Sequence, residues 1–223
     1  TPLQLGIDNR TKRFIMERCL PHIRGPRILE LGYIDGEWTR EILAPDRCIE
    51  IVEGAQRHVE HARNAFQSSP NVVVHHCLFQ EFDTQQKFDT VIAGDMLRYL
   101  DDPLEFLRRS REWLTEGGRF IATVPNGRSL HRRVGSYMGM EPQPMAPNQR
   151  DKEVGNRRSY DRYEFRQVLV EAGFKVLEVR GCFLKPLSSL QMEHWDDKLL
   201  NAFLEIGNEL EDYCWFLYGI CTK

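Results

Sequence analysis

The sequence predicts an α/β fold: a doubly wound, seven-stranded, mostly parallel sheet. Three observations carry the prediction. Short runs rich in Ile, Val and Leu recur between Arg27 and Val124, at strand rather than helix length. Amphipathic stretches separate them, so strand and helix alternate along the chain. Gly32 and Gly36 punctuate the first strand-to-helix turn, where backbone must bend without Cβ interference. Repeated strand–helix units demand parallel pairing with right-handed crossovers.

Each element follows from its residues. Phe14, Ile15, Arg18 and Cys19 give residues 11–20 a helical spacing, and residues 1–24 are expected to cap the site. Strands are expected at 27–31, 48–52, 72–76, 88–93 and 119–124, with helices at 37–43 and 55–66. Pro103 suits a first helical turn, with Leu104, Leu107, Trp113 and Leu114 on or near its buried side. After Asn126 the rhythm breaks. Residues 127–158 mix Pro142, Pro144 and Pro147 with Met138, Met140 and Met145, and read as a lid or acceptor insertion after strand five. Asp161 and Glu164 form a helix start signal, and that helix runs to Val170 and ends near Gly173. A sixth strand is expected at 175–182, a helix at 199–210 and a last strand at 214–221, all within one domain of residues 1–223.

Composition narrows the function. A chain of 223 residues, 41% apolar, can bury a large core. A net charge of −3 gives no general attraction to nucleic acid. The six cysteines lack C-x-x-C spacing and read as small buried hydrophobes in a reducing compartment. No apolar run approaches the roughly 20 residues that span a bilayer, and no signal-peptide pattern appears, so the cytoplasm is the expected location and no membrane partner is foreseen. Thr1 in place of methionine leaves the native N-terminus open. His75 and His76 alternate across a strand, His58 and His61 read as a solvated helix face, and no metal cluster is expected.

The turn chemistry points to a ligand. A dinucleotide turn places a second glycine where this chain has Ile34, and Asp35 would repel a phosphate there. The P-loop pattern is absent. Glu53, 21 positions after Gly32, can accept hydrogen bonds from ribose hydroxyls. Acids at 30, 35 and 53 suit a phosphate-free nucleoside carrying an ammonium and a sulfonium, and S-adenosylmethionine is such a ligand. On the glycines alone, a turn in some unrelated α/β protein reads the same way.

Further motifs follow in order. Cys77-Leu78-Phe79-Gln80-Glu81-Phe82 comes after the third strand, then Phe88-Asp89-Thr90-Val91-Ile92-Ala93-Gly94, Leu100-Asp101-Asp102-Pro103, and Leu114 through Gly117-Gly118-Arg119-Phe120. Together they resemble the successive motifs of class I S-adenosylmethionine-dependent methyltransferases, over nearly the whole chain. Within that group the chain is similar to bacterial type 11/type 12 small-molecule enzymes, through Val124-Pro125-Asn126 to His131-Arg132-Arg133 and through Phe183-Leu184-Lys185-Pro186. It departs from them at Tyr33-Ile34, where a smaller residue and glycine are usual, and at Asp95, where many relatives have histidine. The resemblance implies a Rossmann-like methyltransferase fold with an antiparallel last strand. It implies S-adenosylmethionine as cofactor and S-adenosylhomocysteine as product. It assigns the ribose to Glu53 with Gly54, the adenine to Leu78 and Phe79, and the methionine end to Gly94, Asp95 and Met96. Glu30, Gly32, Tyr33, Trp38 and Thr39 complete the expected cofactor set.

The acceptor side is read from chemistry. His131 is the leading candidate for a general base, since imidazole titrates near neutrality, and the competing role is an anchor for the lid. Asp95 is the second candidate, or a partner for the cofactor's ammonium. Residues 126–160 carry an excess of four positive charges, through Arg128, Arg132, Arg133, Arg150, Lys152, Arg157 and Arg158 against Glu141, Asp151 and Glu153. Arg132 and Arg133 are therefore expected to bind an anionic small-molecule acceptor, with Tyr137 and Phe183 supplying apolar walls; the competing reading is a solvated loop with internal ion pairs. The expected reaction is methyl transfer to oxygen in sugar, secondary-metabolite or cell-envelope biosynthesis. Two alternatives stay open: a nitrogen acceptor (an amine or peptide), and a catalytically silent cofactor-binding subunit. Nucleic-acid methylation lacks its motifs, and the oligomeric state, a homodimer included, is left open.

Overall fold

The computed structural model describes residues 6–140, 143–146, 151, 153 and 155–223. Helix α1 spans Gly6–Cys19. The first half then runs β1 (Arg27–Leu31), α2 (Glu37–Ile42), β2 (Cys48–Glu53), α3 (Gln56–Ala65), β3 (Val72–His76), β4 (Phe88–Gly94), α4 (Pro103–Glu112) and β5 (Leu114–Pro125). The second half holds α5 (Leu130–Tyr137), α6 (Arg162–Glu171), β6 (Lys175–Cys182), α7 (Ser189–Met192), α8 (Asp197–Glu209) and β7 (Phe216–Thr222).

The strands form one seven-stranded sheet in the order β3-β2-β1-β4-β5-β7-β6. All pairs are parallel except those of β7, which runs antiparallel to β5 and β6. The order reverses between β1 and its neighbours β2 and β4, so a crevice opens at the carboxyl ends of these strands. β1 is apolar on both faces because both are covered. Ile28 packs with residues from α1, α2, α3 and α8, among them Ile15, Ile42, Ala62 and Leu200. Leu29 and Leu31 pack on the other face with Phe106, Leu107, Phe165 and Leu169 of α4 and α6. Glu30 stands between them on the α2 side, a carboxylate in an otherwise apolar strand.

The caps formed as their residues predict. Asp102 accepts from the Glu105 N–H ahead of Pro103, and Asp161 and Glu164 make a reciprocal capping box at α6. Strand β5 starts earlier than expected. Leu114 already pairs with Phe88, and the irregularity that follows coincides with Gly117 at φ +75°. The insertion holds a helix that its mixed composition hid: α5, closed at the end of the sheet by Asn126, whose side-chain amide donates to the carbonyls of Asp212 (3.0 Å) and Cys214 (2.8 Å). Glu141, Pro142, Pro147, Arg150 and Lys152 lie outside the described residues.

Candidate active site

The glycine turn is a strained loop clamped by one carboxylate. Gly32, Ile34 and Gly36 all adopt left-handed backbone, at φ +92°, +52° and +76°. A Cβ on Gly36 would lie 2.4 Å from the Tyr33 ring, so only glycine fits. Glu53, just 6% exposed, accepts from the N–H of Tyr33 (3.0 Å), Ile34 (3.4 Å) and Ala55 (2.7 Å). A carboxylate has about four lone-pair sites, so capacity remains for a further donor. Tyr33 offers the loop only its backbone. Its ring turns toward α3, edge-on to Phe66, and its hydroxyl meets His61 Nδ1 at 3.0 Å. His61 is exposed, as its helix face implies, although its ring meets the Tyr33 hydroxyl; His58 is half-buried instead, its Nδ1 3.6 Å from Glu53.

Across the crevice, buried acids wait for donors. Glu30 receives the Thr39 hydroxyl on Oε2 at 2.6 Å, while its Oε1 is buried without a partner. Burial pushes its pKa up to about 8 against the pull of Thr39. Asp95, at φ +54°, holds Arg98 on Oδ2 at 2.6 Å, and its Oδ1 is likewise buried and unpartnered. Burial lifts this carboxyl to about 6, opposed by Arg98 and by Lys12 from α1, although 25% of the side chain remains open. Aromatic rings border the same space. Phe79 comes within 3.5 Å of where a Cβ on Gly32 would stand, and the Trp38 indole within 3.3 Å of one on Gly94. Leu78 packs over Gly54 and is otherwise exposed, whereas Met96 is buried in the core and leaves only backbone at the rim.

Several acceptor-side expectations need correction. Arg132 lines the cleft, but its guanidinium is occupied by the carbonyls of Pro144 (2.6 Å) and Ala146 (2.5 Å) and by Asp151 (3.1 Å). Arg133 bonds the Arg128 carbonyl and lies over the Tyr213 ring. They lace the insertion and its surroundings rather than presenting paired forks to a ligand. Tyr137 is 87% exposed, and Phe183 is core, packed on Phe14 under α1. His131 does not titrate near neutrality: burial, with the Lys185 and Arg132 cations nearby, lowers its pKa to about 3. It is a neutral imidazole whose buried Nδ1 has no partner. Arg98 and Tyr160, which no motif marks, and Arg158, visible in the sequence only as one of seven cations in residues 126–160, line a cleft with Asn126 and Arg132. Arg98 announces itself only by following the fourth strand within four residues of Asp95.

The residues present fit S-adenosylmethionine. Two buried carboxyl oxygens lacking donors, on Glu30 and Asp95, can accept from an ammonium, whose charge would favour the ionised form of Glu30 that burial disfavours; Glu53 has room for a ribose hydroxyl; no lysine or arginine marks a phosphate site on the glycine turn. Fold and site together define a class I methyltransferase. The sequence model of a family described as "Methyltransferase domain" matches residues 7–179, and the chain belongs to that family. It is an S-adenosylmethionine-dependent methyltransferase. None of the curated proteins matches the sequence. Among solved structures, an S-adenosylmethionine-dependent methyltransferase from Mesorhizobium loti is similar over 98% of this chain and 100% of its own, at 18% identity and TM-score 0.68. The N-methyltransferase NodS from Bradyrhizobium japonicum, solved with S-adenosylhomocysteine, is similar over 98% of this chain and 88% of its own, at 14% identity and TM-score 0.61. The [4+2]-cyclase SpnF is similar over 97% and 81%, at 16% identity and TM-score 0.65. Among the described residues no helix is long and apolar enough to cross a membrane, and no three His, Cys, Asp or Glu side chains group to hold a metal.

Proposed function

We propose that this enzyme methylates a hydroxyl oxygen of a small molecule, in sugar, secondary-metabolite or cell-envelope biosynthesis. The observation that carries the small-molecule reading is the cleft beside the cofactor rim, hemmed in by Pro125, Gly127, Asp151 and Ser159. A polymer would need an open groove. SpnF's fold carries a different chemistry, so the reading draws on family and site rather than on architecture. All six cysteines are free, in keeping with a reducing cytoplasm.

When bound, the cofactor supplies a methyl group already activated on sulfur. The chain's part is to bind, orient and exclude water. Glu53 holds the turn and has capacity for the ribose; Glu30 and Asp95 take the ammonium; Trp38 and Phe79 wall the crevice. His131, neutral with a free lone pair, accepts a hydrogen bond from an acceptor hydroxyl and so directs oxygen lone pairs. A nitrogen acceptor is the second reading, favoured by that same low pKa: a neutral amine needs no strong base. The discriminating measurement is S-adenosylhomocysteine release over matched alcohol and amine acceptors, with the methyl position read by NMR. Methyl on oxygen supports the first reading and methyl on nitrogen replaces it. Calorimetric binding of S-adenosylmethionine without turnover of any acceptor would favour a silent subunit.

A further inference from the structure

The cleft between the insertion and the ends of β4 and β5 gathers polar hydrogens that the fold leaves unused. Its free volume is about 20 Å³. Tyr160 is 6% exposed; the Arg158 guanidinium lies against its oxygen and, having no acceptor atom, leaves the phenol's own hydrogen unused. The Nε atoms of Arg98 and Arg158 are buried and unpartnered as well. A buried donor without an acceptor costs on the order of 1–3 kcal/mol, so three around one cleft call for an acceptor between them, while the buried, unpartnered Asn156 Oδ1 in the same lining calls for a donor beside it. Burial pushes the Tyr160 phenol up to about 12, which keeps it a donor at any working pH.

Charge narrows the class of ligand. Arg98 is offset by Asp95 at 2.6 Å and Arg132 by Asp151 at 3.1 Å. Arg158 donates instead to the uncharged carbonyls of Leu100 (2.9 Å) and Asp101 (2.7 Å). Among the described residues, the cleft thus holds one cation that no side-chain carboxylate balances. A monoanion matches this, whereas a phosphate dianion carries more charge than the one unbalanced guanidinium offsets. Arg98 touches both places: one nitrogen holds Asp95, the guanidinium lies 4.8 Å from the Tyr99 ring centroid, and the residue lines the cleft.

We propose that Arg98, Arg158 and Tyr160 form a carboxylate subsite, and that the methyl acceptor is a small monocarboxylic acid held here by its carboxylate. This rests on the methyl-transfer reading above. The acid group anchors the acceptor beside the rim and leaves its hydroxyl or amine as the atom to be methylated.

The test uses acetate as probe, acetamide as its uncharged isostere and inorganic phosphate, each titrated by saturation-transfer NMR. Protein with and without S-adenosylhomocysteine is used. Acetate should bind at least about tenfold more tightly than acetamide, the scale of one charge-assisted bond. Arg158→Lys, which keeps the charge but loses the planar fork, should weaken acetate about tenfold. Tyr160→Phe, which removes a single oxygen, should weaken it about fivefold. Circular dichroism and the thermal midpoint report whether each variant folds; should Arg158→Lys unfold, Tyr160→Phe decides. Equal binding of acetate and acetamide, preference for phosphate, no acetate binding, or acetate affinity unmoved in the folded variants would each overturn the subsite. Failure to bind S-adenosylhomocysteine counts against the methyl-transfer reading instead, because the unloaded titration reads the cleft by itself.

Discussion

The rim at the ends of β1, β2 and β4 and the cleft lined by Arg98, Arg158 and Tyr160 adjoin, yet they differ in how far along the chain their clamps reach. At the rim the partners are close in sequence: Thr39 reaches Glu30 across 9 residues and Glu53 reaches Tyr33 across 20. The cleft has local clamps too, Arg132 reaching Pro144, Ala146 and Asp151 across 12, 14 and 19 residues, but adds distant ones: Arg158 meets Leu100 across 58 residues and Asn126 meets Cys214 across 88. Short-range clamps form with the strand–turn–helix unit that carries them. Long-range clamps exist only once the sheet is assembled, so the rim should tolerate disturbance of the cleft better than the reverse.

Removing Glu53 gives the largest expected effect. Glu53→Ala leaves three backbone N–H groups of the turn and of Ala55 without their acceptor, a loss on the order of 3 kcal/mol. Calorimetry should show S-adenosylhomocysteine binding weakened about a hundredfold or more, with Glu53→Gln between it and the parent. Unchanged affinity would place the cofactor somewhere other than this rim.

Arg132 provides the matching break on the other side. Arg132→Ala frees two carbonyls and Asp151 within the insertion, at an expected cost of about 2 kcal/mol. Limited proteolysis should then cut the insertion faster, with cofactor affinity little altered. Arg133→Ala, losing a ring contact and one carbonyl bond, should cost under about 1 kcal/mol. Equal effects from the two would erase the distinction between a lacing arginine and a peripheral one.

The same distinction explains what the sequence made legible. Apolar runs, the Asp161–Glu164 box, Pro103 and the Gly32 to Glu53 spacing are local signals, and they place the sheet, its caps and the rim. Helix α5 escaped because its buried side is set by contacts with the loop it binds, not by an apolar stripe: none of its residues is fully buried. Arg132 and Arg133 looked like a ligand fork because charge is visible in sequence while Pro144, Ala146 and Asp151 as partners are not. Tyr160 stayed hidden, and Arg158 stayed one cation among seven, for the converse reason, since nothing local says that Tyr160 lies beside Asn126.

The buried glutamate of β1 gives the rim a pH dependence that the cleft lacks. Glu30 binds its proton more tightly folded, near pKa 8, than unfolded, near the ordinary carboxyl value of 4.5. Between those values the native state holds more protons than the unfolded one, so stability falls as pH rises. The slope is at most about 1.4 kcal/mol per pH unit. The contribution is complete below the lower value and gone above the upper one. Glu30→Gln should flatten the thermal midpoint between about pH 6.5 and 8, above the ranges in which Asp95 and His131 change charge, whereas a slope there unaffected by the change would assign the effect to another group.

The smallest effect tests the loop itself. Ile34 is β-branched, 50% exposed and held at φ +52°, where a branched side chain costs about 1–2 kcal/mol. Glycine relieves that strain but gains about 0.5–1 kcal/mol of unfolded-chain freedom, so Ile34→Gly should raise stability by only about 0.5 kcal/mol net. For a chain of this length that is a rise of about 1–2 °C in the thermal midpoint. Half of the Ile34 surface already faces solvent, so little apolar burial is lost with it. Because Glu53 holds the backbone on either side of Tyr33, the gain should vanish in a Glu53→Ala background, where the turn is no longer forced into this conformation. A double-mutant cycle reads that coupling directly: strict additivity would mean that the strain at Ile34 belongs to the turn's own closure by Gly36 and not to the carboxylate clamp.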